Sequence, residues 1–185
     1  MNAESQEAAT PPTGKYVTLG RSFRTPAHPE VLAALGRVYF TVLSLEESVT
    51  AILYESGHIG LSEARGKMAG QKEDDLGALA RLYRKHPRGV STADGLDAAK
   101  AAFGNVRKRL RNPLSHAHPF TAGADADGNY LPGLAYTVRD GSSWRTLAII
   151  PDDLLDLVVE AEQAIDPLGA ARRAVQQLPL SSLRP

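Results

Sequence analysis

Cysteine is absent from the 185 residues, and this absence removes several classes of site. Without cysteine the chain cannot form disulfides, use a thiolate nucleophile or hold zinc through thiolate ligands. The absence is compatible with a reducing compartment. Any catalytic chemistry must therefore come from histidine, arginine, carboxylate or hydroxyl groups.

Net charge and long apolar runs are missing as well. The 21 basic residues balance the 21 acidic ones, so the whole chain has no general attraction to nucleic acid or membranes, and only a local basic patch would provide one. No apolar run reaches the length of a transmembrane helix, and the N-terminal MNAESQEAATPPTGK lacks the apolar stretch of a signal peptide. We therefore expect a cytoplasmic protein that does not enter a membrane.

Helical periodicity is the clearest pattern in the chain. A long amphipathic helix is predicted to begin at Pro29 and to stop near Gly57. Its apolar positions recur at steps of three and four, which is the spacing of a helix face. These positions are Val31, Leu35, Val38, Val42, Leu45, Val49 and Ile52. The same seam suits either the core of a bundle or contact with a second copy, and the core is the favoured interpretation.

Glu46 is a carboxylate among apolar neighbours on this first helix. It belongs to a second column with a step of seven, which contains Leu32, Tyr39, Glu46 and Leu53. A carboxylate that is partly buried needs a cation or hydrogen-bond donors close by. Glu46 is therefore predicted to have a basic or hydrogen-bonding partner.

Further helices and a short β segment follow the first helix. Helical patterns begin near Ser62, in KEDDLGALARLYRKH, in TADGLDAAKAAFGNVRKRLRN and after Pro151, and Pro167 is expected to kink or end the last of them. Residues from about 127 to 150 are predicted to form a β-hairpin with its turn in RDGSS. The fold class is therefore an all-α helical bundle with a small β-hairpin insertion before the last helix. This domain spans 28–178, between a disordered N-terminal tail (1–27) and a C-terminal tail (179–185).

Three basic side chains are predicted to form a column on the helix of the segment TADGLDAAKAAFGNVRKRLRN, the third long helix. On a helical wheel Lys100, Arg107 and Arg111 fall at about 40°, 20° and 60°, at one edge of an apolar stripe centred near 320°. Ordinary solvent exposure is the usual explanation for such a column. Here the column ends at KRLRNPLSHAHPF, where Pro113 is expected to interrupt the helix and Asn112 to cap a new turn. Such a break would turn His116 towards Arg111.

The residues of this stretch suit the chemistry of a phosphodiester. Arginine supplies a rigid fork for phosphate oxygens, and histidine exchanges protons near neutral pH. Asparagine holds an oxygen or orients the imidazole. Cleavage that uses an adjacent 2′-hydroxyl demands no metal. One arginine and one histidine are few for the whole reaction, so two copies meeting in a dimer would help.

The segment RNPLSH resembles the Arg-x4-His signature of HEPN domains, and the helical layout over roughly residues 29–166 agrees with that resemblance. The resemblance implies a helical bundle that dimerises to form a composite cleft and that, in many members, is a metal-independent endoribonuclease of toxin–antitoxin or phage-defence systems. It implies that Arg111 binds phosphate, that His116 is the general acid and base, and that Asn112 is the polar motif residue. Glu46 would orient the arginine, and Lys100 and Arg107 would contact RNA.

The remaining expectations concern partners and departures from the HEPN pattern. RNA is the expected substrate, a second copy and an antitoxin or defence protein are the expected partners, and no cofactor or metal is expected. His118 stands where members with a nucleotidyltransferase antitoxin often carry tyrosine, so it is instead a candidate for a second acid–base or RNA contact. A metal pair of His116 and His118 is a weaker interpretation, because it lacks a third ligand. The alternative function is a non-catalytic HEPN-type binding module.

Aromatic side chains of the predicted hairpin allow two interpretations. Trp144 and Tyr130 would stack on nucleic-acid bases if they were exposed, since every base offers a π-face. Packing of both side chains against the helical bundle is the favoured interpretation. The two alternatives differ in the exposure of the rings.

Overall fold

The computed structural model describes residues 28–124, 126–128 and 130–183. The predicted tail 1–27 lies outside the described residues. The helices are α1 (Pro29–Glu55), α2 (Leu61–Gly66), α3 (Ala69–Arg84), α4 (Val90–Val106), α5 (Asn112–Ser115), α6 (Pro151–Glu162) and α7 (Ile165–Gln177). A π-helical segment (Arg107–Arg111) joins α4 to α5, and the strands are β1 (His118–Ala124), β2 (Tyr130–Asp140) and β3 (Ser143–Ile149).

Helix α1 confirms the prediction for the first helix. It begins at Pro29, whose missing N–H costs nothing in a first turn, and it ends at Glu55 before Gly57, which has a φ of +75°. The predicted seam faces inward, and all of its members except the half-buried Leu35 are buried. The seam is therefore part of the core of one chain.

The helices form a bundle in which α1 and α4 are central. Helix α1 packs on α3, α6 and α7, while α4 packs between α3 and α7. The largest fully buried side chains include Tyr83, Phe103, Leu96 and Leu154, one or more from each of α3, α4 and α6. Within the described residues no helix combines the length and the apolar character needed to cross a membrane.

The β segment is larger than the predicted hairpin. Strands β2 and β3 pair antiparallel around a turn at Gly141, whose φ is +61°, so the hairpin with its turn in RDGSS is confirmed. The structure adds β1, which pairs antiparallel with β2 and makes the order β1-β2-β3. Its sequence HPFTAGA carries one proline and one glycine and lacks β-branched residues except threonine, so its strand signal is weak. Leu134 and Ile149 join the base of the sheet to the core.

The C-terminal part of the chain differs from the prediction in two respects. The last helix is two helices, because α6 ends at Glu162 and α7 begins at Ile165. Pro167 lies in the first turn of α7, where the helix needs no backbone donor. In the expected tail, Leu180–Leu183 forms a 3₁₀ turn, and the Leu180 N–H donates to the Ser56 carbonyl at 3.1 Å.

Candidate functional site

The helix that carries RNPLSH widens before Pro113 and does not break there. In the π segment the Asn112 N–H donates to the Arg107 carbonyl, five residues back. Asn112 itself is helical (φ −66°, ψ −49°), so the prediction that it would cap a new turn is wrong. A proline lacks an N–H, and its ring clashes with the carbonyl four residues earlier in a regular helix. The wider turn relieves this clash, and the helical path continues to Ser115.

The path ends at His116, the histidine of the motif. Its φ of −114° and ψ of 4° leave the helical region, and its N–H donates to the Pro113 carbonyl at 3.1 Å. The imidazole is exposed and has no hydrogen-bond or ion-pair partner among the described residues. Two residues later the chain enters β1 at His118, which is also exposed.

Arg111 and Glu46 form an ion pair between the π segment and α1. The Arg111 Nε–H donates to Glu46 Oε1 at 2.9 Å. The Glu46 side chain is 14% exposed and the Arg111 side chain is 37% exposed, so the carboxylate is the more deeply placed partner. This contact confirms that Glu46 has a basic partner, as its position between apolar neighbours predicted. Through it, α1 fixes where the motif arginine lies.

The two terminal nitrogens of Arg111 remain available to bind a ligand. Glu46 contacts only Nε, and no other described group binds the guanidinium. An arginine held in this way keeps its two terminal nitrogens for another oxygen acceptor. A phosphate or carboxylate is the natural acceptor for such a fork.

Arg107 has a different carboxylate partner, Glu73 of α3. Its Nε–H donates to Glu73 Oε2 at 2.8 Å, and the Lys108 ammonium lies 3.6 Å from Glu73 Oε1. Gly104 makes room for this carboxylate, since a Cβ there would lie 2.7 Å from Glu73 Oε1. Glu73 is a residue that sequence reasoning missed. No local sequence pattern indicated it, because Glu73 meets Arg107 through the close approach of α3 and α4 at Gly77 and Gly104.

Lys100, the third member of the predicted column, packs against α3. Its side chain lies against Gly77, where an added Cβ would be 2.8 Å from the ammonium nitrogen. Beside it is a cavity of about 430 Å³, which Glu73, Asp97 and Lys108 also line. The predicted column is therefore divided, because Lys100 and Arg107 face α3 whereas Arg111 pairs with α1.

The two histidines of HAH do not share an extended strand. His116 follows the last residue of α5, while His118 is the first residue of β1, so the geometry required for a metal pair is not formed. In the described ranges, no group of three or more His, Asp and Glu side chains is placed to hold a metal ion.

The site thus combines an anchored arginine fork with an exposed imidazole five positions along the chain. The fork suits an anionic oxygen, and the imidazole can accept or donate a proton near neutral pH. Comparison of the chain with protein-family models, with curated proteins and with solved structures gave no match.

Proposed function

We propose that the protein is a metal-independent endoribonuclease of the HEPN type. The observation that carries this proposal is the Arg111 side chain, which Glu46 holds through Nε while its terminal nitrogens are left for a substrate. The exposed His116 lies in the same RNPLSH motif. Arg111 and His116 are the catalytic residues of the proposal, Asn112 is the polar motif residue, and Glu46 is a positioning residue.

The reaction needs two proton transfers, in which the attacking oxygen loses a proton and the leaving oxygen gains one. A base removes the proton of the 2′-hydroxyl, the oxygen attacks the adjacent phosphorus, and the bond from phosphorus to the 5′-oxygen breaks. The 5′-oxygen takes up a proton, and the other product carries a 2′,3′-cyclic phosphate. Arg111 stabilises the negative charge that develops on the phosphoryl oxygens.

A second copy supplies the further cation and imidazole that this reaction uses. One face of helix α1 exposes large apolar side chains, among them Leu32, Phe40 and Leu43. Leu43 lies about one turn before Glu46, so a symmetric contact along this face brings two Glu46–Arg111 pairs towards each other. We therefore place the homodimer interface on this face of α1, and not on the buried seam.

The biological role that we propose is that of a toxin or phage-defence effector in the cytoplasm. Such a nuclease needs a partner that restrains it, either an antitoxin or another defence protein. His118 replaces the tyrosine that nucleotidyltransferase antitoxins modify in resembling proteins. Neutralisation by binding is consequently the mode that fits this chain.

A cleavage assay in EDTA tests the proposal. The purified protein should cut single-stranded RNA in the presence of EDTA and leave 2′,3′-cyclic phosphate ends. His116→Ala should lower the rate by at least about 100-fold, the typical contribution of general acid–base catalysis. His28→Ala is the matched control, since His28 is another exposed histidine but lies just before α1.

Two results would contradict the proposal in different ways. Loss of cutting on addition of EDTA would refute the metal-independent mechanism. A folded wild type that is inert on a broad panel of RNAs would favour the non-catalytic HEPN-type binding module.

A further inference from the structure

One face of the sheet presents two aromatic rings to solvent. Side chains alternate between the faces of a strand, and the register places Arg139 opposite Trp144, and Thr137 opposite Thr146. On β1, Phe120 lies opposite Gly133 of the same face. Trp144 is 71% exposed and Phe120 is 44% exposed. The favoured interpretation that Trp144 packs against the bundle is therefore wrong, and the Tyr130 side chain lies outside the described residues.

The polar groups on this face suit a strand of nucleic acid. Besides the two rings it carries the Arg139 guanidinium, the His118 imidazole and the hydroxyls of Thr137 and Thr146, whose oxygens are 3.4 Å apart. These positions include no carboxylate. Arg139 donates from Nε to the Gly141 carbonyl at 3.2 Å, which fixes the head group and leaves its terminal nitrogens available among the described groups. Rings that stack on bases, together with cations that meet phosphates, are the usual means of binding single strands.

The face also continues directly from the candidate site. His118 begins β1 only two residues after His116, a chain distance of about 7 Å at most. From the level of Phe120 to the level of Trp144 the sheet extends about 20 Å, because six positions of β2 separate Gly133 from Arg139. In the register His118 lies opposite Ala135, between the level of Phe120 and the level of Trp144. A strand that runs along this face past the site therefore meets Phe120 on one side of His118 and Trp144 on the other.

We propose that this face of the β-sheet is a stacking platform for single-stranded RNA and that it leads the substrate into the site at Arg111 and His116. The proposal rests on the proposed function, since it assigns the surface beside that site to the same substrate. Bases stack on Phe120 and Trp144, and Arg139, which lies opposite Trp144, contacts the phosphate beside it. Double-stranded RNA fits the platform poorly because its bases are paired and stacked on one another.

Trp144 is the only tryptophan of the chain, so its fluorescence reports on the platform alone. The experiment uses full-length His116→Ala protein, in which cleavage is blocked, and a 12-nucleotide single-stranded RNA. Binding should quench the fluorescence, and a 2-nucleotide RNA should quench far less because it cannot reach from the site to Trp144. A duplex of the same sequence should bind more weakly.

Substitutions on the platform should weaken binding of a labelled 12-nucleotide RNA. Loss of one stacked base corresponds to a dissociation constant that rises about 5- to 150-fold. We expect a rise in this range for Trp144→Ala and for Phe120→Ala by fluorescence anisotropy. In the active protein Trp144→Ala should raise KM more than it lowers kcat. Met68→Ala is the control, because Met68 is a large exposed apolar residue on another surface, at the start of α3.

The outcomes separate this proposal from the proposed function. If the protein cuts RNA but Trp144→Ala changes neither binding nor KM, the platform is refuted and the nuclease stands. If RNA quenches Trp144 but the wild type cuts nothing, the platform stands and the nuclease is refuted. Equal quenching by duplex and single strand would overturn base stacking as the mode of binding.

Discussion

Removing the ion pair between Glu46 and Arg111 should cost the fold measurable stability. Charge-assisted hydrogen bonds contribute about 1.5–3 kcal/mol, whereas fully exposed ion pairs contribute about 0–1 kcal/mol. The Glu46 side chain is 14% exposed and that of Arg111 is 37% exposed, so this pair lies between the two cases. We expect a coupling of about 1–2 kcal/mol in the free energy of unfolding.

The two single substitutions should be unequal. Arg111→Ala leaves the more deeply placed carboxylate without its cation, and we expect it to cost about 2–3 kcal/mol. Glu46→Ala leaves the more exposed guanidinium, which water can solvate, and should cost about 1–2 kcal/mol. The double variant should be little worse than Arg111→Ala, because it removes both charges together.

Urea denaturation of the wild type, the two single variants and the double variant measures the coupling. The control cycle uses the ion pair of Glu47 and Arg65, in which Glu47 is the neighbour of Glu46 on α1. Its nitrogen and oxygen are 3.3 Å apart, and both side chains are about three-fifths exposed. That cycle should give less than about 0.5 kcal/mol. A coupling for Glu46 and Arg111 as small as that of the control would refute the reasoning.

A loss of stability in the Arg111 variants also affects the interpretation of their activity. A loss of cleavage in Arg111→Ala mixes lost chemistry with a smaller folded fraction. Arg111→Lys is the sharper variant, because it keeps a cation for Glu46 and removes the planar fork. Folded Arg111→Lys protein with little activity would assign the fork itself to catalysis.

Two further predictions concern stability at high pH and assembly. Burial raises the pKa of Tyr83 to about 12, while its hydroxyl donates to the Leu178 carbonyl at 2.6 Å. The unfolded chain loses this proton near pH 10 and the folded chain keeps it, so the free energy of unfolding should fall by up to about 1.4 kcal/mol per pH unit between pH 10 and 12. In urea denaturation the free energy of unfolding of the Tyr83→Phe protein should fall less steeply with pH. Equal slopes for the wild type and the variant would show that the Tyr83 hydroxyl is not responsible for the pH dependence. Leu43→Glu on the exposed face of α1 should convert the dimer to a monomer, as measured by light scattering, and should abolish cleavage. Met68→Glu changes another exposed apolar residue and should have neither effect. If the Leu43→Glu protein is still a dimer, this face is not the interface.

The helices of the bundle could be predicted from the sequence because each carries a strong local signal. The seam of α1 from Val31 to Ile52 repeats with a helical period, and Pro29 and Gly57 mark its two ends. Glu46 could be assigned a basic or hydrogen-bonding partner for the same reason, since its column placed it between apolar side chains. These inferences need only the geometry of one helix.

What could not be predicted depends on contacts between elements. Glu73 meets Arg107 because α3 and α4 approach closely at Gly77 and Gly104, and no local pattern reports such an approach. Strand β1 exists because β2 offers it an edge, although its own sequence favours strand only weakly. The exposure of Trp144 likewise depends on how far the hairpin extends beyond the bundle.

The widened turn before Pro113 explains why the predicted basic column divides. In a regular α-helix Arg107 and Arg111 lie one turn apart on the same face, and both would compete for the same carboxylates. The π segment places an extra residue in this turn, so the chain completes less rotation between the two arginines. Arg107 therefore reaches Glu73 of α3, and Arg111 reaches Glu46 of α1. Pro113 was predicted to interrupt the helix, and it instead follows a π segment that gives the motif arginine its own anchor. π-Bulges of this kind are frequent at functional sites.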